Sequence, residues 1–159
     1  MEALPQLIDE DIETLDGVLE RLIAQTEAGT AFVTDRAGFM IVERGEIPGL
    51  DQTTLGALAA NTYAATAAIA SLLNEADFAS LYQEGEEHSL LINSVGEYGL
   101  LIVVFSAKIS GGAVKYYAST AVRQLAEQLE TAHGRAPDCS IDLASMNVAD
   151  SSDLFRKKQ

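Results

Sequence analysis

Charge is missing from one long stretch of this otherwise acidic chain. No charged side chain lies between Gln52 and Asn74, and eight of the fourteen residues from Ala57 to Ala70 are alanine. The stretch is long enough to span a bilayer, but its alanine content, its polar residues and the lack of flanking basic anchors argue against a membrane span. The question is then what covers a helix that has no charged face.

Basic residues and cysteine are also scarce. The 159 residues include 10 Lys and Arg against 24 Asp and Glu, which gives a formal net charge of −14. This charge repels phosphate backbones and anionic lipids, so nucleic acids and membranes are poor candidate partners. The single cysteine, Cys139, has no internal disulfide partner, and the acidic amino terminus lacks the basic and apolar segments of a signal peptide. These features predict a cytoplasmic protein.

The motifs of nucleotide-binding and hydrolytic enzymes are absent from the sequence. It has no G-x-x-x-x-G-K-[ST], G-x-G-x-x-G, G-x-S-x-G or C-x-x-C segment. His88 and His133 are far apart, and Cys139 lies in a segment without regular periodicity, so neither a metal site nor a thiol nucleophile is expected. The segments EGEEH and SGGAVK are interpreted as a solvated loop and a strand-to-helix turn. We therefore expect a binding protein without cofactor or metal.

Hydrophobic periodicity predicts three helices and five strands. Apolar residues at steps of three or four predict helices, and short β-branched or aromatic runs between turn residues predict strands. The expected elements are a helix over 8–27, a hairpin of strands 30–36 and 39–45, a helix from Asp51 or Thr53 to about 74–78, strands 79–83, 88–95 and 100–106, and a helix over 113–132 after a break at Gly111 and Gly112.

This order of elements predicts an α/β fold. The run LLIVVF is apolar on both faces, so it should form a central strand with helices on both sides. Together with the hairpins, it predicts a three-layer α/β/α sandwich around a five-stranded antiparallel sheet, in the order α-β-β-α-β-β-β-α. We assign residues 1–134 to this domain.

Residues 135–159 are predicted to be a flexible tail with a short helical motif. They show no sustained period, and three of the ten basic residues lie in the last four positions. Ser151 or Ser152 can cap a helical turn that presents Leu154 and Phe155 beside the basic residues. The alternative is a frayed terminus.

A helical wheel divides the charge-free helix into two faces. One face is expected to pack on the sheet and contains Leu55, Leu58, Thr62, Ala65, Ile69, Leu72 and Leu73. The other contains Gly56, Ala57, Ala60, Ala64, Ala67, Ala68 and Ser71, with Asn61 and Tyr63 at its edges. Because small residues let a second backbone approach closely, this second face is predicted to bind another polypeptide. The alternative is a solvent-exposed face in which alanine serves only as a good helix former.

The order of elements, the charge-free helix, the hairpin FVTDRAGFMI and the run LLIVVFS followed by GGAVKYY together resemble the Roadblock/dynein light-chain family. Within it, LDQTTLGALAANTYAATAAIASLLNEADF and DSSDLF are similar to the bacterial MglB-type regulators of small Ras-like GTPases. The resemblance implies a homodimer that joins its sheets edge to edge and sets its second helices side by side as a platform for one MglA-type GTPase. It also implies faster GTP hydrolysis or nucleotide exchange through the switch loops of the GTPase, in cell polarity or gliding motility.

The resemblance and the wheel together give a set of candidate contacts. The partner-binding residues would be Ala57, Ala60, Asn61, Tyr63, Ala64, Ala67, Ala68 and Ser71, and the C-terminal contact would be Leu154, Phe155, Arg156 and Lys157. No rigidly placed arginine is expected near the alanine face to act as an arginine finger. The alternatives are a passive dimeric scaffold of the same fold, and a small-molecule sensor or hydrolase with the same layers.

Overall fold

Five antiparallel strands form one sheet in the computed structural model, which describes residues 4–135. The elements follow one another as α1 (Asp9–Thr26), β1 (Thr30–Asp35), β2 (Met40–Gly45), α2 (Gln52–Leu72), β3 (Ser80–Gln83), β4 (His88–Val95), β5 (Gly99–Ser106) and α3 (Gly111–Arg135). The predicted order and the α/β class are confirmed, and each strand ends within one residue of its expected bounds.

The strand β5 is the centre of the sheet. The strand order is β2-β1-β5-β4-β3, with Leu101 of β5 opposite Val33 of β1 and Ile102 opposite Ile92 of β4. All residues from Gly99 to Phe105 are buried. This burial confirms the prediction of a central strand that helices cover on both faces.

The helices form two unequal layers around the sheet. On one face α1 and α3 pack together, and Leu15, Phe105 and Leu125 belong to the larger core there. On the other face α2 lies alone over a smaller core that includes Phe32 and Ile102. The side chains of β5 alternate between these two cores because successive residues of a strand point to opposite faces.

The start of α3 differs from the prediction. The expected break at Gly111 and Gly112 is wrong, since both glycines are the first residues of the helix. The Ser110 hydroxyl accepts a hydrogen bond from the backbone N–H of Ala113 (3.3 Å), which caps the helix one residue before Gly111. A Cβ atom at position 111 would lie 2.6 Å from the Tyr82 hydroxyl, so a larger residue there would have to displace the Tyr82 ring.

One buried carboxylate ties the start of α1 to the end of α3. Asp11 is fully buried and accepts hydrogen bonds from the Ile8 backbone N–H and the Gln128 side-chain amide. It also forms an ion pair with Arg135. The hydrogen bond from Arg135 holds the pKa of Asp11 below its usual range, although burial acts in the opposite direction. Arg135 is therefore fixed to the folded body at the point where the remaining chain begins.

The turn between β1 and β2 lies directly against α2. The Asp35 carboxylate accepts hydrogen bonds from the backbone N–H groups of Ala37 and Phe39, both at 2.9 Å, and so fixes the turn. Gly38 adopts a φ of +96°, and a Cβ atom at this position would lie 2.8 Å from the Ala57 Cα of α2. The turn thus needs glycine both for its backbone conformation and for its contact with the helix.

This double requirement can be tested by substituting two glycines. Gly38→Ala should lower the free energy of unfolding by about 2–4 kcal/mol, because overpacking against Ala57 adds to left-handed strain of about 1 kcal/mol. Gly49→Ala is the matched control, since Gly49 has a φ of +82° but a Cβ atom there would have no neighbouring atom within 4 Å. It should cost only about 1 kcal/mol. Urea unfolding measures both, and equal losses would contradict close packing at Gly38.

Candidate partner-binding face

The uncharged helix α2 begins at a defined cap. The Asp51 carboxylate accepts hydrogen bonds from the Thr54 hydroxyl at 2.6 Å and from the Thr54 backbone N–H at 3.1 Å. These hydrogen bonds hold the pKa of Asp51 below its usual range. The prediction left Asp51 and Thr53 open as caps, and the structure identifies Asp51 as the N-cap. The helix ends at Leu72, close to the expected position.

Apart from Tyr63, the residues of α2 that pack on the sheet are small. The buried residues of the helix are Gly56, Ala59, Ala60, Tyr63, Thr66 and Ala70. The approach is close at Gly56, since a Cβ atom there would lie 3.2 Å from the Gly38 carbonyl oxygen and 3.2 Å from the Thr34 side chain. Because these side chains are short, the helix backbone lies close to the large sheet residues beneath it.

The predicted orientation of α2 is therefore wrong. The leucine-rich face that was expected to pack on the sheet is largely in solvent: Leu58 is 57% exposed, Ile69 50% and Leu72 83%. The sheet face carries large side chains, including Phe32 and Ile102, so mostly small helix residues pack against it, with Tyr63 as the main exception. An uncharged helix has no polar side from which the sequence could fix its rotation.

Two of the eight predicted partner-binding residues are unavailable for that role. Ala60 and Tyr63 are each only 4% exposed and belong to the core beneath α2. The other six are exposed on the helix: Ala57, Asn61, Ala64, Ala67, Ala68 and Ser71. The structure adds exposed large side chains that the wheel assigned to the core, namely Leu58, Ile69, Leu72 and Leu73. The open face of α2 is defined here as these ten residues.

Tyr63 anchors α2 to the loop that follows it. Its hydroxyl donates to the Phe78 carbonyl oxygen at 2.7 Å and also lies 2.9 Å from an Asp77 carboxylate oxygen. A buried Tyr normally finds such a partner for its hydroxyl. Tyr63 is therefore an aromatic anchor within the protomer, and the prediction that it anchors a partner does not fit its burial.

An arginine lies beside the open face, contrary to expectation. The Arg36 guanidinium lies 5.1 Å from the centroid of the Tyr63 ring, and its Nη2 donates to Ser94 Oγ (2.7 Å) and to the Gly96 carbonyl oxygen. These contacts connect the β1–β2 turn, the β4–β5 turn and α2. Arg36 borders a cavity of about 440 Å³ that is also lined by Ala60, Tyr63, Ala64, Ala67, Asp77 and Glu97.

α2 is the one helix in residues 4–135 that is long and apolar enough to cross a membrane. One side of this helix, however, packs on the sheet of its own domain through Gly56, Ala59 and Ala60. The helix carries an open apolar face on one side and packs on its own domain with the other. This arrangement supports a role in binding another protein, and it gives no support to a membrane span.

The residues considered for catalysis are not brought together. His88 begins β4, whereas His133 is in the last turn of α3, where its ring lies 5.4 Å from that of Tyr98. Lys115 of α3 lies over the Tyr82 ring, 4.9 Å from its centroid. Within residues 4–135, no group of three His, Cys, Asp or Glu side chains could hold a metal ion. Cys139 and the predicted C-terminal contact lie outside the described residues.

Comparison with known proteins is consistent with this fold. The model of the Roadblock/LC7 domain family matches residues 14–105. MglB, the gliding protein of Thermus thermophilus, is 32% identical, with a TM-score of 0.75 over 82% of this chain and 99% of that one. An MglB with a tetrameric arrangement is 32% identical, with a TM-score of 0.76 over 83% of this chain and 99% of that one. Myxococcus xanthus MglB is 28% identical, with a TM-score of 0.74 over 80% of this chain and 96% of that one. A search of curated protein sequences finds no significant match.

The family match includes the sheet and α2, which carry the candidate face. The solved MglB structures are matched over nearly their whole length, so the similarity extends to all three layers of the fold. The chain belongs to the Roadblock/LC7 family, and its fold is that of the MglB proteins.

Proposed function

We propose that the chain is a non-catalytic homodimeric regulator of a small Ras-like GTPase of the MglA type, which docks on the open face of α2. The observation that carries the proposal is an exposed apolar helix face on a chain of net charge −14. Contiguous exposed apolar surface marks interaction sites. The similarity to MglB supports a GTPase partner, a cytoplasmic location and a process such as gliding motility or cell polarity.

The edges of the sheet differ in how well they can accept a second copy. The outer strand β2 carries Glu43 and Arg44, and Arg44 forms an ion pair with Asp16. Charged residues of this kind protect an edge from pairing. The opposite edge, β3, has the uncharged sequence SLYQ. It follows α2 after seven residues, which places it near the exposed end of the helix at Leu72 and Leu73. We infer that β3 is the dimer edge.

A β3-to-β3 pair would bring the C-terminal halves of two α2 helices together. Ile69→Arg with Leu72→Arg should then raise the dimer dissociation constant by at least about 100-fold, since two buried apolar contacts are replaced by charges. The control is Tyr116→Arg with Ser119→Arg, which places the same two charges at exposed residues of α3. Sedimentation equilibrium measures both variants. An unchanged dimer in the double variant would contradict this interface.

The remaining part of the open face suits a GTPase. Ala57, Ala64, Ala67 and Ala68 are exposed and have short side chains, so a partner backbone can approach α2 closely. Each methyl group contributes little, and affinity would come from the summed apolar area. Such a surface offers no acid, base or nucleophile, so we expect it to act by positioning the switch loops of the GTPase.

The GTPase contact is tested by placing charges on the small residues. Ala64→Arg with Ala68→Arg should weaken binding to a GTP-loaded MglA-type GTPase by at least about 100-fold while leaving the fold intact. Ala113→Arg with Ser119→Arg is the control, because both positions are exposed on α3. A single-turnover GTP assay with the unmodified chain separates a regulator from a passive scaffold. Intact binding of the α2 variant, or binding without any rate change, would contradict the proposal.

Arg36 raises the question of an arginine finger at this face. Its Nη2 hydrogen bonds are made within the protomer, and its guanidinium lies over Tyr63. A finger must instead place its guanidinium on the transferring phosphate. We therefore assign Arg36 a positioning role, in which it holds two turns and α2 in one arrangement.

This assignment predicts a modest kinetic effect. Arg36→Ala should lower the melting temperature and reduce GTPase stimulation by no more than about tenfold, whereas loss of a finger reduces it by roughly 10³–10⁵. Single-turnover hydrolysis at saturating concentrations of the variant measures the effect. Arg36→Lys retains a positive charge without the forked donors, and should behave like Arg36→Ala if geometry is what matters. A thousandfold loss in a folded Arg36→Ala dimer would identify a finger.

A further inference from the structure

An apolar groove opens at the end of the sheet opposite the β1–β2 and β4–β5 turns. It has a volume of about 500 Å³ and lies between the β2–α2 loop and the β3–β4 loop. Leu90 and Val104, which are opposite each other in the β4–β5 ladder, line it together with Ile47, Leu50 and Leu55. All except Val104 are only half buried. The groove therefore exposes apolar side chains that a further segment could cover.

Carboxylates border this groove. Glu84 lines it, and Glu86 and Glu87 follow in the β3–β4 loop, all three exposed. None of them forms an ion pair with a described residue. The Ala107 backbone N–H donates to the Glu87 carbonyl oxygen (2.9 Å), so the β5–α3 loop with Lys108 is adjacent. One lysine beside three carboxylates leaves the rim acidic.

The end of the chain has the complementary composition. Leu154 and Phe155 are followed directly by Arg156, Lys157 and Lys158. Residues 4–135 carry only seven Lys and Arg against nineteen Asp and Glu. Residues 156–158 are the one run of adjacent basic residues in the sequence. The segment combines an apolar pair that fits the groove with cations that match its rim.

The length of the chain allows the contact. Leu154 is 19 positions beyond Arg135, which corresponds to at most roughly 60 Å of extended chain. The groove lies at the other end of the eight-residue strand β4, roughly 27 Å along the sheet, and the layers of the fold add roughly 10 Å each. A tethered segment of this reach has an effective concentration that compensates for individually weak exposed ion pairs.

We propose that residues 154–158 bind this groove of their own chain, with Leu154 and Phe155 against Leu50 and Leu90 and the basic residues on the acidic rim. The cavity beside α2 matches the segment less well, because Arg36 borders it and offsets part of the charge of Asp77 and Glu97. The proposal concerns the protein by itself and does not depend on a GTPase. It gives the acidic β3–β4 loop a role in holding the C-terminal segment.

Paramagnetic relaxation in the full chain tests the contact. The variant Cys139→Ser with Gln159→Cys carries a nitroxide label at its only thiol. At low salt, amide peaks of residues 47–50 and 84–90 should lose intensity by about twofold or more relative to 94–98, and added salt should restore them. Equal loss everywhere, or loss centred on 94–98, would overturn the proposal. A second sample mixes isotope-labelled chains that carry no spin label with spin-labelled chains that carry no isotope. The same intensity loss in this sample would also overturn the proposal, because the segment would then bind another copy of the chain.

Charge exchange gives an independent test in the same labelled protein. Glu84→Lys with Glu86→Lys and Glu87→Lys should abolish the relaxation effect at the groove, as should reversal of Arg156, Lys157 and Lys158 to Glu. Combining the two sets should restore it. The control replaces three exposed glutamates outside the groove, Glu13, Glu97 and Glu127, by Lys, which changes the net charge by the same amount. It should leave the relaxation effect at the groove unchanged. Release of the segment by the control, or no recovery in the combined variant, would overturn the assigned rim.

Discussion

The close approach of α2 to the sheet is the constraint on which the functional face depends. Gly56 of the helix and Gly38 of the β1–β2 turn lie so close that a Cβ atom on either would meet backbone atoms of the other element. Apart from Tyr63, the helix packs on the sheet with small residues, and most of its large apolar residues face outward. Leu58, Ile69 and Leu72 are in solvent for this reason, although their chemistry is that of core residues. The same packing therefore explains both the stability of the layer and the surface offered to a partner.

A polar network fixes the position of this helix without adding charge to its open face. The Tyr63 hydroxyl donates a hydrogen bond to the Phe78 carbonyl oxygen. The Arg36 guanidinium lies over the Tyr63 ring and donates a hydrogen bond to the Gly96 carbonyl oxygen in the β4–β5 turn. The cation thus joins two turns and a helix. If the chain positions the loops of a partner, as proposed, the rigidity of this surface is more important than its reactivity. The Arg36 guanidinium is held by these contacts, so its main contribution is to the geometry of the surface.

Most of the fold could be predicted from sequence, because each element carries a local signal. The apolar run of β5 predicted the centre of the sheet, and Asp51 was one of the two residues, with Thr53, that were predicted to cap the start of α2. The rotation of α2 could not be predicted, since all its faces are uncharged and the large sheet residues that exclude Leu58 are distant in sequence. The one available signal was Gly56, a residue that disfavours helix unless close packing requires it. The contacts of Arg36 could not be predicted from sequence either, because only the tertiary structure brings Ser94 and Tyr63 to this arginine.

The distribution of charge separates two kinds of recognition in this chain. The open face of α2 holds no charged group, so its own attraction for a partner is short-ranged and depends on shape and apolar area. The surrounding surface carries a large excess of carboxylates, which act over about a Debye length and favour partners with a basic rim. The carboxylates therefore influence how fast a partner approaches, whereas the apolar residues of α2 form the final contact. A partner that lacks basic groups would meet the same apolar face more slowly, even if it fitted the face equally well.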